Sequence, residues 1–165
     1  GRMSNGQVSG WSFNCRLDNL QAALLDLKLK LLPEWISRRR HLAGLYQERL
    51  VDLAQIYLPP PPLKGRYFDV FQNYEVEVDE RDLLASRLRE KGVEVMLPWG
   101  GRGVHQLDAL GLKHFKLPRT DRLFERALML PLHTELADKQ VDYVCDVIRS
   151  FFQSRKPVAG LNKLH

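Results

Sequence analysis

Asn14, Arg16, Asp18 and Gln21 gather at the start of a strongly apolar run. An amide, a guanidinium and the unpaired N–H groups of a helix start can together hold an anion such as a phosphate. These residues therefore predict an anion site beside a buried helix. A second cluster lies in Pro98–Gln106, where Trp99, Arg102, His105 and Gln106 are interleaved with Gly100, Gly101 and Gly103. Glycines let backbone approach a ligand closely, while Trp, Arg and His can stack on a polar ring or hydrogen-bond to it. This segment reads equally as a ligand loop or as a turn whose Trp99 packs on the core. No nucleophile elbow, P-loop, dinucleotide fingerprint or zincin motif is present. His41, His105, His114, His133 and His165 show no ligand spacing, so no metal site is expected, and His133 reads as structural. Cys15 and Cys145 make no disulfide framework and fit a reducing, cytoplasmic setting. The run Arg38-Arg39-Arg40 resembles a nucleic-acid patch but has no interleaved aromatics, and a solvated helix face with one Arg turned into an interface is the favoured reading.

The elements that must position these groups fall within a chain of 165 residues, 44% apolar and 27% charged, as in ordinary globular proteins. No apolar run is long enough for a membrane span, and Gly1–Gly6 lack the hydrophobic segment of a signal peptide. A net charge of +5 and a pI near 9.4 allow an anionic partner without requiring one.

From Leu17, apolar residues at Leu20, Leu24, Leu27 and Leu31 repeat at helical spacing, and Ala23, Leu25, Leu29 and Leu32 widen the stripe. Pro33 breaks this helix and suits the first turn of a second, running to Leu53 with Trp35, Ile36, Leu42, Ala43, Tyr46 and Leu50 inward. Trp11 and Phe13 are expected as buried anchors of the preceding loop. A short strand at Ile56–Leu58 leads into Pro59–Pro62, a stiff connector. Alternation predicts a strand over 70–78, with Val70, Gln72, Tyr74, Val76 and Val78 on one face and Phe71, Asn73, Glu75 and Glu77 on the other. Asp79 is expected to cap a helix carrying Leu83, Leu84 and Leu88 that Gly92 ends, followed by a strand at Val93, Val95 and Leu97. A helix over Arg119–Arg126, a strand near Leu128–Leu130 and a closing helix from Ala137–Asp138 complete the order. The fold class is α+β, a small, mostly antiparallel sheet covered by helices and preceded by two long helices. Those two helices are greasy for so small a sheet, which points to cover from outside the chain.

The stretch Asn14-Cys15-Arg16-Leu17-Asp18 with Leu20-Gln21-Ala22-Ala23 resembles the pyridoxal-phosphate-dependent nucleotide-sugar aminotransferases of the DegT/StrS group. The likeness continues in order through Arg38-Arg39, Ala43, Tyr46, Tyr74, Arg81, Leu84, Gly92-Val93, His105-Gln106, Gly111, Pro118, Leu130-Pro131 and the Val144–Phe151 helix. It implies the C-terminal domain of a fold-type I aminotransferase. Residues 1–16 would be a loop leading from a missing N-terminal catalytic domain, 17–55 interface helices, 56–153 the small α+β domain and 154–165 a frayed tail. The resemblance further implies that pyridoxal 5'-phosphate is bound mainly by the N-terminal domain of a partner subunit in a homodimer. Asn14 and Arg16 would reach its phosphate in trans, and His105, Trp99 and Gln106 would border a nucleotide-sugar substrate. The amino donor would be a compound such as glutamate, with neither nucleic acid nor membrane involved. Lys28, Lys30, Lys113 and Lys116 lack the setting of a Schiff-base lysine, so this chain alone is expected to be inactive. Leu97-Pro98-Trp99-Gly100-Gly101 stands where many members carry a His-Tyr-Pro-like stretch, which bears on sugar specificity. The rival reading is a non-catalytic α+β binding or assembly module with an anionic partner.

Overall fold

Asp18 starts the first helix, its carboxylate accepting the Gln21 N–H at 2.8 Å, and α1 runs over Asn19–Leu29. Pro33 then falls in the first turn of α2 (Leu32–Leu50), where its missing N–H costs nothing. The computed structural model describes residue 7 and residues 9–11 and 18–155. The expectations on Phe13, Asn14, Cys15, Arg16 and the tail beyond 155 lie outside the described residues. Trp11 is described, and it is no buried anchor, being 74% exposed.

After α2 come β1 (Ile56–Tyr57), β2 (Tyr74–Val78), α3 (Arg81–Glu90), α4 (Pro118–Arg126), β3 (Ala127–Leu130) and α5 (Asp138–Gln153). The strands form an antiparallel sheet in the order β1-β2-β3, with Ile56 opposite Val78 and Tyr74 opposite Leu130. Tyr74, Val76 and Val78 turn one face of β2 into a single core with Leu42, Tyr46 and Leu50 of α2, Leu84 and Leu88 of α3, and Val141, Cys145 and Ile148 of α5. Tyr46 stacks on Tyr74 with ring centroids 4.8 Å apart and donates its hydroxyl to Pro131 O at 2.9 Å. The α+β expectation and the order of its helices therefore hold. The outer edge of β3 is closed by short contacts: Ala127 O accepts from Arg81, and Met129 exchanges two backbone hydrogen bonds with Met96.

Several local expectations need correction. The strand predicted over 70–78 begins only at Tyr74, because Phe71 adopts a left-handed backbone, φ 51°. That bend turns Phe71 into the core and leaves Val70 and Gln72 exposed, reversing the predicted faces ahead of the strand. Asp79 does not cap α3: Glu80 occupies the cap position without a side-chain bond, and Asp79 pairs with Arg126. Leu83 faces solvent, while Leu84 and Leu88 are buried. The strand expected at Val93, Val95 and Leu97 reduces to one bridge, Met96 to Met129, although Val93 and Val95 do enter the core. α2 ends at Leu50 rather than Leu53. Gly92 is left-handed at the end of α3 as expected, φ 75°.

The three consecutive arginines of α2 are more than a solvated face, since each is bonded to another part of the chain. Arg38 donates to Leu136 O at 2.5 Å and pairs with Asp138 at 2.7 Å. Arg39 donates to Gln72 O at 2.6 Å and Phe71 O at 3.3 Å, and Arg40 to Asp69 O and Leu63 O while lying over the Phe68 ring. Arg38 thus ties the segment before α5 to the helix, while Arg39 and Arg40 both tie the connection between β1 and β2. Hydrogen bonds from His41, then from Arg38, hold the Asp138 carboxyl below the usual range.

One surface lacks any cover. No residue of α1 is buried, and Leu20, Leu24, Leu25, Leu27 and Leu29 all stand exposed, with Leu31 and Leu32 beyond them. The wide apolar stripe read from the sequence forms as a helix but packs on nothing within the described residues.

Candidate functional site

Trp99, Gly100 and Gly101 follow one another in the left-handed region, φ 52°, 73° and 77°. For the glycines this is free of strain, whereas for Trp99 it costs about 1–3 kcal/mol. The turn is closed by its own backbone, Gly100 N donating to Leu97 O at 3.1 Å and Gly101 N to Pro98 O at 2.8 Å. A Cβ on Gly101 would lie 3.1 Å from Leu97 Cδ1 and 4.0 Å from Arg81 Nη1. Arg81 itself is nearly buried and donates to Phe124 O at 3.0 Å and Ala127 O at 3.3 Å, closing the C-terminal end of α4 against the start of β3. Its Nε lies 2.6 Å from Asp82 Oδ1 but without the alignment of a hydrogen bond. Trp99 itself is 75% exposed, so the alternative of a Trp packed on the core falls away.

The second half of the loop is closed by a different device. Gly103 N donates to Gln106 Oε1 at 3.0 Å. Asp121, in the first turn of α4, accepts with one carboxylate oxygen from His105 Nε2 at 2.7 Å and from Gln106 Nε2 at 2.6 Å. The His105 ring is buried against Gly103 and Thr120: a Cβ on Gly103 would sit 2.8 Å from its Cε1 and 2.9 Å from its Nδ1. Here glycine is required by space rather than by backbone angle. His105, Gln106 and Asp121 line an open depression with Asp108, Lys113 and Glu125. Lys113 pairs with Asp108 at 2.7 Å, and that bond holds the Asp108 carboxyl below its usual range.

Of the residues singled out in the sequence, the structure brings His105 and Gln106 together and leaves Trp99 exposed on the first half of the loop. Sequence reasoning missed Asp121, whose only local signal is an acid early in a helix, and the bonds from Arg81 to Phe124 O and Ala127 O. The helix start expected to hold an anion is already used: the Asp18 carboxylate takes the Gln21 N–H. A negative side chain there disfavours a phosphate on that turn, so the described part of this segment does not fit the cofactor's phosphate. All seven described lysines are exposed, including Lys28, Lys30, Lys113 and Lys116. Among the described residues there is thus no buried lysine of the kind a Schiff base with pyridoxal phosphate needs. Nor is there, among them, a group of three or more His, Cys, Asp and Glu side chains able to hold a metal ion. No described helix is long and apolar enough to cross a membrane.

Comparison with known proteins gives this geometry a family. The chain is 34% identical over 146 residues to a pleiotropic regulatory protein of Geobacillus stearothermophilus, covering 86% of this chain and 38% of that protein. It is 31% identical over 137 residues to the UDP-N-acetyl-3-dehydro-alpha-D-glucosamine 3-aminotransferase of Acidithiobacillus ferrooxidans, covering 83% and 36%. Among solved structures it superposes on the aminotransferase TlmJ from Streptoalloteichus hindustanus with a TM-score of 0.75 at 31% identity, over 82% of this chain and 36% of that one. For DesV of S. venezuelae, solved with a ketimine intermediate, the TM-score is also 0.75, at 30% identity over 82% and 37%. The chain therefore shares its fold with part of these aminotransferases and spans a little over a third of the length of the relatives it matches. The model of the DegT/DnrJ/EryC1/StrS aminotransferases matches residues 2–149, nearly the whole of the sequence, and it is to this family that the chain belongs.

Proposed function

We propose that this chain is the C-terminal portion of a pyridoxal-phosphate-dependent aminotransferase that moves an amino group from a donor such as glutamate to a keto-sugar nucleotide, in polysaccharide or sugar-antibiotic biosynthesis. The observation that carries the reading is the family match over residues 2–149 in a chain about a third as long as its relatives. The exposure of every described lysine supports placing the Schiff-base lysine in the larger, N-terminal part of the enzyme. The uncovered leucines of α1 support the same division, since a stripe of that width needs an apolar partner. In this reading the catalytic domain and a second subunit of a cytoplasmic homodimer cover α1. Pyridoxal phosphate, when bound, supplies the electron sink for amino-group transfer. Asn14 and Arg16 of one chain lie toward the cofactor phosphate of the other, as side chains of the loop rather than through the α1 helix start. Trp99, His105 and Gln106 belong to the loop that borders the sugar nucleotide, with the exposed Trp99 ring as its contact face.

Amino-transfer assays test the reading directly. The chain alone is expected to be inactive, and the same chain joined to an N-terminal domain of its family is expected to convert a keto-sugar nucleotide to an amino sugar. A joined protein that takes up no pyridoxal phosphate would sink this function and leave the non-catalytic binding module standing. In the joined protein, Asn14→Ala should weaken cofactor retention about tenfold, the loss of one hydrogen bond to a charged group. Equal retention would remove Asn14 from the phosphate. Trp99→Ala should raise KM for the sugar nucleotide about tenfold and leave the fold intact, because the ring makes an aromatic contact to ligand and almost none to the core. An unchanged KM would show that the ring does not meet the substrate.

A further inference from the structure

The loop over residues 98–106 is tied to α4 through Asp121, which gathers His105 and Gln106. A single carboxylate oxygen accepts from these two consecutive loop residues at 2.7 and 2.6 Å. Gln106 passes the constraint on, since its own oxygen holds the Gly103 amide at 3.0 Å. His105 is nine-tenths buried, and its Nδ1 has no hydrogen-bond partner among the described residues. A carboxylate can only accept, so Nε2 must carry a proton. A proton on Nδ1 would be buried without an acceptor, whereas a bare lone pair there is the smaller penalty. Turning the ring over would put Cε1 in place of Nε2 at Asp121 and lose that hydrogen bond, so the carboxylate selects this orientation.

We propose that Asp121 is a positioning residue for the glycine-rich loop: it holds His105 as the Nε2–H tautomer with Gln106 beside it, and so fixes the turn from Gly103 to Gln106. The relevance to substrate rests on the proposed function, but the positioning itself does not. Asp121 orients an imidazole by accepting from one ring nitrogen, the same logic by which a carboxylate sets the tautomer of a catalytic or metal-bound histidine. Here the histidine shapes a loop instead of moving a proton.

The test reads the chain itself, by nitrogen NMR of the His105 ring at about pH 8 and by hydrogen exchange of the Gly103 amide. In the unaltered chain, Nε2 should show the shift of a protonated nitrogen and Nδ1 that of a bare one. Asp121→Ala should convert this pattern to a mixture of tautomers. It should also speed exchange at Gly103 by about 10- to 100-fold while the Val76 amide in β2 keeps its protection. Asp121→Asn keeps an acceptor oxygen and should retain both signatures. The proposal is overturned if Asp121→Ala leaves His105 and Gly103 as they were, or if Asp121→Asn behaves like Asp121→Ala. It is equally overturned if exchange rises at Val76 by the same factor as at Gly103, for then Asp121 serves the whole fold. None of these readings needs enzymatic activity. Loss at His105 and Gly103 in a protein whose joined form does not transaminate would reject the proposed function and keep this role for Asp121.

Discussion

Tyr46→Ala is expected to destabilise the folded chain by about 3–5 kcal/mol, a large share of the 5–15 kcal/mol typical of a domain. Tyr46 is wholly buried on α2 and meets three separate elements. Its ring stacks on Tyr74 of β2, its flanks join the α2 and α5 residues of the core, and its hydroxyl reaches past β3 to Pro131 O. Truncation leaves a cavity at the point where helix layer and sheet meet, with the Pro131 carbonyl unpaired. Tyr46→Phe isolates the last effect and should cost about 1–2 kcal/mol, since the ring stays and only one buried acceptor is orphaned. Urea unfolding followed by far-UV circular dichroism separates the two. Equal midpoints for Tyr46→Phe and Tyr46→Ala would show that the hydroxyl, not the ring, carries the stability.

The second large effect is a loss of stability in alkali. Burial pushes the Tyr46 and Tyr74 phenols well above their ordinary value of 10.0 and raises the Cys145 thiol from 9.0 to about 12. The unfolded chain releases these protons at the ordinary values, while the folded chain keeps them. Above pH 9 the unfolded state therefore binds fewer protons, and stability falls as pH rises. The stabilisation is complete below the ordinary thiol value and is lost progressively as pH climbs through the raised ones. Cys145 alone should contribute a loss of about 2 kcal/mol between about pH 9 and pH 10.5, with Tyr46 and Tyr74 adding to it above pH 10. Urea midpoints across this range should fall in the unaltered chain and fall less steeply in Cys145→Ala. A midpoint flat to about pH 10.5 would reject the linkage. The acid side should be shallower, because the carboxyls held low, Asp52 by Arg149 and Asp138 by His41 and Arg38, are exposed to solvent.

The helices were legible because their signals are local and repeated. Leucine spacing, Pro33 in a first turn and Gly92 after a last one place α1, α2 and α3 within a few residues, and Val141, Val144, Cys145, Ile148 and Phe152, apolar at helical spacing in the sequence, lie on the buried face of α5. The strands were less legible. Alternation from Val70 reads as one long strand, yet the left-handed Phe71 stops it, and such a bend at a bulky residue has no signature in periodicity. The strand expected at Val93–Leu97 fails for a related reason: its residues supply apolar side chains to the core, but only Met96 finds a backbone partner.

At the candidate site the division is sharper. Residue types alone identified the glycine-rich segment, its Trp99, His105 and Gln106, and through an ordered set of motifs the family to which the chain belongs. The burial of His105 and the placement of Gln106 beside it were decided by Asp121, sixteen residues beyond His105 on α4. The three arginines of α2 make the same point, being identical neighbours in sequence of which Arg38 ends before α5 and Arg39 and Arg40 between β1 and β2. Composition and periodicity record what a residue prefers locally. The partner of a carboxylate or a guanidinium is set by elements far along the chain, and only their packing brings donor and acceptor within reach.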